Sequence, residues 1–312
     1  MRVVVTGGAG FIGANLVAAL LERPEVTEVR VVDDLTGGAK ADLAGCDATL
    51  YDGSILDPGL LDAAFAGADA VVHLAALPSV PRSVADPLAS HEVNTTGTLQ
   101  VLEAARRAGG LYVAAASSSS VYGANRELPK RETMRAEPLS PYAVSKLAAE
   151  GYLAAYHHCY GLDVLPLRLF NVFGPLQPAG HAYAAVVPSF VAAALAGRPL
   201  TVHGDGRQSR DFTYVGTVAR VFTEAVVRRV VHPAPVNVAL GTRTTLLELV
   251  DELAAVLGRP LEVTHSGPRA GDVRDSVADD ALLRSLFPGL APVPLRVGLE
   301  RTVEWFRTRP AA

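Results

Sequence analysis

The sequence predicts an α/β protein: a doubly wound parallel sheet followed by a smaller α/β lobe. Two patterns carry this. From Arg2 to Arg168, short Val-rich runs alternate with longer Ala-rich segments, the rhythm of strand–helix–strand units. After Arg168 the texture changes, with Gly, Pro and aromatic residues crowding Asn171–Tyr183 and prolines punctuating the remainder.

The expected strands are Arg2–Thr6, Glu28–Val32, Ala48–Tyr51, Ala70–Leu74, Leu111–Ala115 and Asp163–Arg168. They are short and apolar on both faces, as in a sheet covered on both sides. Helix-like segments lie between them at Phe11–Leu21, His91–Ala108 and Tyr142–Tyr160, and later at Val187–Ala196, Thr217–Arg229, Thr245–Leu257 and Leu295–Arg307. Residues 1–170, with part of 210–240 returning to them, are expected to form a nucleotide-binding domain. Residues 171–312 are expected to form the smaller lobe, with the cleft between the two as the site.

With 312 residues, 49% hydrophobic and 19% charged, the chain has the balance of an ordinary α/β protein with a large core. The net charge of −4 offers no basic footprint for nucleic acid or an anionic membrane. No apolar run approaches the roughly 18 residues that span a bilayer. Met1 runs at once into a strand-like stretch, so no secretory leader is expected. Cys46 and Cys159 are too few for a disulfide framework, and no metal-ligand spacing includes them. A cytoplasmic protein with reduced thiols and no metal is the expectation.

Thr6-Gly7-Gly8-Ala9-Gly10-Phe11-Ile12-Gly13 joins the first strand to the first helix. Gly7 suits a tight turn, Gly10 lets backbone approach a pyrophosphate, and Gly13 lets helix pack on strand. The helix N-terminus, with Phe11 and Ile12, offers free N–H groups to phosphate. Asp33 lies twenty residues after Gly13, where a carboxylate accepts from both ribose hydroxyls and repels a 2′-phosphate; Asp34 beside it can share or take this role. NAD is therefore expected rather than NADP, on a Rossmann-type fold.

The spacing Gly7–Gly10–Gly13 resembles that of the extended short-chain dehydrogenases/reductases, the NAD-dependent epimerase/dehydratase family. By that resemblance Ser54 and Ile55 lie beside the adenine, and Leu74, Ala75 and Ala76 near the pyrophosphate and nicotinamide. Asn94 supports the sheet edge near the site. The family usually has Asp where Ser54 stands, which leaves room for Asp52 to make that contact.

Tyr142-Ala143-Val144-Ser145-Lys146 lies in an expected helix, so Tyr142 and Lys146 share one face. With 9 Tyr and 3 Lys in the chain, such a pair arises by chance roughly 0.09 times. Hydride transfer from a sugar carbinol needs a base for the hydroxyl proton, and free tyrosine, at a pKa of about 10, is too weakly acidic. A neighbouring ammonium and a positive nicotinamide ring are expected to lower it. Val121-Tyr122-Gly123 matches the family's Val-Tyr-Gly, which places the catalytic hydroxyl at Ser118. The resemblance then makes Ser119 and Ser120 line the sugar pocket. Dehydratases of the family place Asp and Glu at those two positions, and UDP-glucuronate decarboxylases place Glu at the second. Two serines imply oxidation and re-reduction without elimination.

Arg168-Leu169-Phe170-Asn171-Val172-Phe173-Gly174-Pro175 resembles the family segment whose Asn holds the substrate diphosphate. The resemblance places Ala185, Val186 and Phe190 at a uracil cradle, with Ser79, Thr201 and His203 among the substrate contacts. Arg210 and Arg269 then meet the diphosphate, Asp272 the uridine ribose, and Ser276 the sugar wall, where a small residue leaves room for a C2 N-acetyl group. Pro78 stands where epimerases for N-acetylhexosamines often have Gly, and Pro178 where UDP-glucuronate epimerases often have Arg. The chain is thus most similar to UDP-hexose 4-epimerases, acting on UDP-Glc/UDP-Gal, UDP-GlcNAc/UDP-GalNAc or UDP-GlcA/UDP-GalA. A decarboxylase, 4,6-dehydratase or 4-ketoreductase on the same scaffold stands as the alternative, then a non-catalytic NAD-binding regulator. The family also implies a homodimer formed through helices near His91–Ala108 and Tyr142–Tyr160.

Overall fold

The computed structural model describes residues 1–179, 185–267 and 274–308. Six strands come first: β1 (Arg2–Thr6), β2 (Glu28–Asp33), β3 (Ala48–Asp52), β4 (Ala70–His73), β5 (Tyr112–Ser118) and β6 (Val164–Leu169). The chain then leaves them for the short strands β7 (Val172–Phe173), β8 (Leu200–His203), β9 (Ser209–Arg210) and β10 (Thr213–Tyr214). It returns with β11 (Val236–Val238), before β12 (Thr244–Thr245), β13 (Val263–Ser266) and β14 (Asp275–Ser276). One parallel sheet of order β11-β6-β5-β4-β1-β2-β3 results. The order reverses between β1 and β4, which opens a crevice outside the carboxyl ends of the strands, where ligands bind in such sheets.

Along the chain lie helices α1 (Phe11–Leu21), α2 (Pro58–Phe65), α3 (Val80–Ala85), α4 (Pro87–His91), α5 (Gly97–Arg107) and α6 (Pro141–Tyr160). They are followed by α7 (Val186–Leu195), α8 (Val215–Val227), α9 (Leu246–Leu257), α10 (Ala281–Leu286) and α11 (Leu295–Thr308). Residues of α1 and α8 cover one face of the sheet, and those of α2, α5 and α6 the other. A separate core joins α7, α9 and α11 around Phe173, Phe190 and Leu249.

Local chemistry sets the element that matters most to the site. The Ser140 hydroxyl caps α6 by accepting from the Ala143 amide, Pro141 fills the first helical position, and Gly161 closes the helix in the left-handed conformation. Between α4 and α5 the sequence suggests one helix from His91 to Ala108. The structure inserts a π-helical turn at Glu92–Thr96 instead. Such turns gather at functional sites, and this one holds buried Asn94, whose amide oxygen accepts from the Leu77 amide at 2.7 Å and whose nitrogen donates to Leu77 O and Ser145 Oγ. Asn94 thereby pins the chain leaving β4 onto α6.

β5 also outruns the expected Leu111–Ala115. Serine has little strand preference, yet Ser117 and Ser118 stay in register with Arg168 and Leu169 of β6. Tertiary pairing overrides propensity here. That extension carries the serine run to the edge of the crevice.

Candidate active site

The crevice holds a cleft of about 470 Å³ that runs from Asp33, along the glycine loop, to Tyr142, Lys146 and Gln177. The glycine loop is built as its spacing requires. A Cβ on Gly13 would stand 2.1 Å from the Gly7 carbonyl oxygen, and Gly7 has φ +72. A Cβ on Gly10 would meet only the Gly7 oxygen, at 3.4 Å, so its absence leaves room in the cleft rather than relieving a clash. Gly10 caps α1 without any side-chain hydrogen bond, and the first N–H groups of that helix face the cleft beside Phe11 and Ile12. These features fit a dinucleotide pyrophosphate.

At the far end Asp33 is buried. Its two oxygens each accept one backbone amide, Ala9 at 2.9 Å and Leu35 at 2.8 Å. Burial raises its pKa, and the two amides oppose this. A carboxylate oxygen with one donor still has a lone pair free, so Asp33 can accept from two vicinal hydroxyls. Asp34 is exposed, and its Oδ1 is occupied by the Thr36 amide and hydroxyl. Asp33 is thus the better placed of the two. Ser54, Ile55, Leu74, Ala75 and Ala76 line the same channel, whereas Asp52 is exposed and outside the lining.

Beneath this channel lies a polar chain that the sequence did not suggest. The Thr98 hydroxyl donates to Asn94 O, so His73 must donate to Thr98 from Nε2, which leaves Nδ1 to accept from Thr6. Burial holds His73 neutral, with its pKa pulled down to about 3.

At the other end, Ser118, Tyr142 and Lys146 line the cleft together. Ser118 Oγ accepts from both the amide and the hydroxyl of Ser120, at 3.2 and 2.9 Å. Both of its lone pairs are filled, so its own proton is free to be donated. The Tyr142 hydroxyl is the recipient, and this bond favours the phenolate. The Lys146 ammonium donates to the Ala116 carbonyl at 3.0 Å. Burial raises the Tyr142 pKa above its ordinary value, against the Ser118 bond, and pulls Lys146 down to about 8. The Ser118 hydrogen bond is the contact that favours the phenolate against this burial.

Among the described residues the only carboxylates lining the cleft are Asp33 and Asp34, at its opposite end. Ser119 and Ser120 form the short turn after β5, outside the lining.

The expected substrate contacts are less concentrated. Ser79 (φ +95), Asn171 (φ +35) and Ala185 line the cleft; Ser79 also caps α3, and Asn171 donates to Asp211 O. Val186 and Phe190 lie on α7, with Phe190 buried in the smaller core. Thr201 and His203 are exposed on β8, where His203 Nδ1 meets Ser266 Oγ. Arg210 donates to the carbonyls of Ser209 and Arg274, and its strand β9 pairs with β14, which carries Ser276. Arg269 and Asp272 lie outside the described residues. Sequence reasoning did not single out Thr36, Leu77, Val93 or Gln177, all cleft residues. Only position beside a motif marks them; Gln177, for instance, follows Gly174-Pro175.

Residues 3–239 match the model of the NAD-dependent epimerase/dehydratase family. The chain is 38% identical to a UDP-glucose 4-epimerase of Mycolicibacterium smegmatis, over 99% of each chain. It superposes with TM-score 0.93 on a UDP-N-acetylglucosamine 4-epimerase from Methanobrevibacter ruminantium, solved with UDP-N-acetylmuramic acid, at 37% identity over 98% of both chains. A UDP-glucose 4-epimerase from Thermus thermophilus, solved with NAD, gives 0.89 at 36% identity over 99% of both. A glycine cradle with room for pyrophosphate, a ribose-end carboxylate and a Ser–Tyr–Lys cluster on one cleft therefore come with full-length likeness to NAD-using enzymes, and the chain belongs to the NAD-dependent epimerase/dehydratase family.

Proposed function

We propose that this protein is a UDP-sugar 4-epimerase, inverting C4 of UDP-Glc/UDP-Gal or UDP-GlcNAc/UDP-GalNAc through a 4-keto sugar. The observation that carries this is the composition of the cleft: Ser118, Tyr142 and Lys146 face it, and no described carboxylate lines it near them. Elimination of water requires an additional acid and base at the sugar, and serines at 119 and 120 cannot supply them. NAD, when bound, supplies reversible oxidation of the sugar carbinol.

Tyr142 takes the C4 hydroxyl proton and returns it to the C4 oxygen once the sugar has turned its other face, the one that receives the returning hydride. Ser118, its lone pairs occupied by Ser120, donates to the tyrosyl oxygen or to the sugar oxygen in turn. Lys146, anchored on Ala116 O, places a positive charge beneath the nicotinamide end of the cleft. Both faces of the 4-keto sugar must be presented, so the nucleotide is held firmly and the sugar loosely. Asn171, Arg210, Arg269 and Asp272 are the polar anchors of the nucleotide in this reading, and Ser119, Ser120 and Ser276 the small residues beside the sugar. The protein works as a cytoplasmic homodimer paired through the helices near His91–Ala108 and Tyr142–Tyr160, the second of which carries the exposed apolar residues Val144 and Tyr152.

Two experiments test this. Incubation with UDP-Glc and with UDP-GlcNAc, followed by NMR of the products, is expected to yield the C4 epimers. Release of CO₂ from UDP-glucuronate, or a 4-keto-6-deoxy sugar as the main product, overturns the epimerase reading. Asp33→Asn removes the charge but keeps the shape, and each charge-assisted bond lost costs about 1.5–3 kcal/mol. NAD affinity, measured by calorimetry, is expected to fall roughly ten- to a hundredfold, while UDP affinity stays within twofold or so of the unaltered protein.

A further inference from the structure

Asp211 lies between β9 and β10, and its side chain is completely buried. Its Oδ1 accepts from the Leu240 amide at 3.2 Å and the Thr242 hydroxyl at 3.0 Å, and its Oδ2 from the Ala278 amide at 3.4 Å. All three donors are neutral. Burying a carboxylate among neutral donors is costly, and burial raises its pKa against those bonds. An apolar residue would avoid that cost, but it would leave the donors of two separate stretches of chain unpaired.

Those stretches border the expected nucleotide contacts. Leu240 and Thr242 follow β11 and lead into β12, which pairs with Ser209 and Arg210 of β9. Ala278 follows β14, which carries Ser276 and also pairs with β9. The Asp211 carbonyl accepts from the Asn171 side chain at 3.0 Å, and Asn171, held at φ +35, lines the cleft. We infer that Asp211 is a positioning residue for the nucleotide half of the substrate: its carboxylate locks the chain around β9, which presents Arg210, and its carbonyl sets Asn171. This rests on the UDP-sugar reading proposed above. Asp211 lies outside the cleft lining, and its charge would repel a diphosphate, so it acts through its neighbours rather than on the ligand. The cofactor end of the cleft is built from other elements, the glycine loop, β2 and the chain leaving β4. The two ligands therefore respond differently to the loss of Asp211.

Asp211→Asn separates the two carboxylate oxygens. Asparagine can offer its oxygen to Leu240 and Thr242, but its NH₂ then faces the Ala278 amide, donor against donor. In full-length protein freed of nucleotide, UDP affinity by calorimetry is expected to fall about 5- to 30-fold, and NAD affinity to stay within about twofold. Loss of stability alone lowers the folded fraction and weakens both ligands alike, so the split marks positioning. Thr242→Val removes one donor at an exposed position and is expected to weaken UDP about 2- to 5-fold, with NAD again unchanged. Unchanged UDP affinity in folded Asp211→Asn, or NAD affinity lost in step with UDP, overturns the inference. Where Asp211→Asn does not fold, Thr242→Val decides on the same two outcomes. Unaltered protein that binds NAD but not UDP overturns the UDP-sugar reading, and the inference with it.

Discussion

Tyr142→Phe is expected to lower kcat by two to four orders of magnitude, the usual contribution of a positioned acid–base group, and to leave UDP affinity nearly unchanged. The split follows from placement. The Tyr142 hydroxyl meets Ser118 in the cleft, whereas no hydrogen bond of that hydroxyl supports the fold. Its pKa is raised by burial and lowered by the Ser118 bond. The phenolate fraction therefore grows as pH rises, and kcat should climb with pH on its acid limb. Ser118→Ala removes the donor that favours phenolate and should move that limb to higher pH. Single-turnover rates measured across pH check both. A Phe variant with near-normal turnover would remove Tyr142 from the chemistry.

How far the molecule is legible from sequence depends on how local its causes are. The glycine loop and α1 are readable because Gly13 and Gly7 answer to contacts within a few residues or at a strand end: Gly13 against Gly7, and Gly7 against the chain leaving β4. The pairing of Tyr142 and Lys146 on one helix face is readable for the same reason. The partners of those side chains are not. Lys146 meets a carbonyl of β5, and Ser118 is filled by Ser120, facts of the fold rather than of spacing. β11 is equally hidden, since three residues, Val236 to Val238, have no period of their own and become a strand only by pairing with β6. The amide oxygen of Gln177, buried without a partner among the described residues, carries no sequence signal at all, because its burial is a fact of the fold.

Glu150→Gln is expected to cost about 3–5 kcal/mol of stability, since it leaves a buried guanidinium without its counter-charge. Arg168 forks onto Glu150 with contacts of 2.8 and 2.7 Å, both side chains are almost fully buried, and Ser117 donates to the same carboxylate. Denaturant midpoints read the loss, and Glu150→Leu with Arg168→Met should recover much of it, because neither charge then remains in the core. The same carboxylate sits one helical turn beyond Lys146 and raises its pKa, against the burial that pulls it to about 8. Losing Glu150 therefore lowers the Lys146 pKa further. An ammonium is lost as pH rises through its pKa, so the alkaline limb of the kcat profile should move to lower pH in Glu150→Gln. A purely structural role would reduce stability and leave that limb in place. A shifted limb instead marks Glu150 as a positioning residue that keeps Lys146 charged where the cleft needs it, and links the stability of the β5–β6–α6 core to the chemistry at its edge.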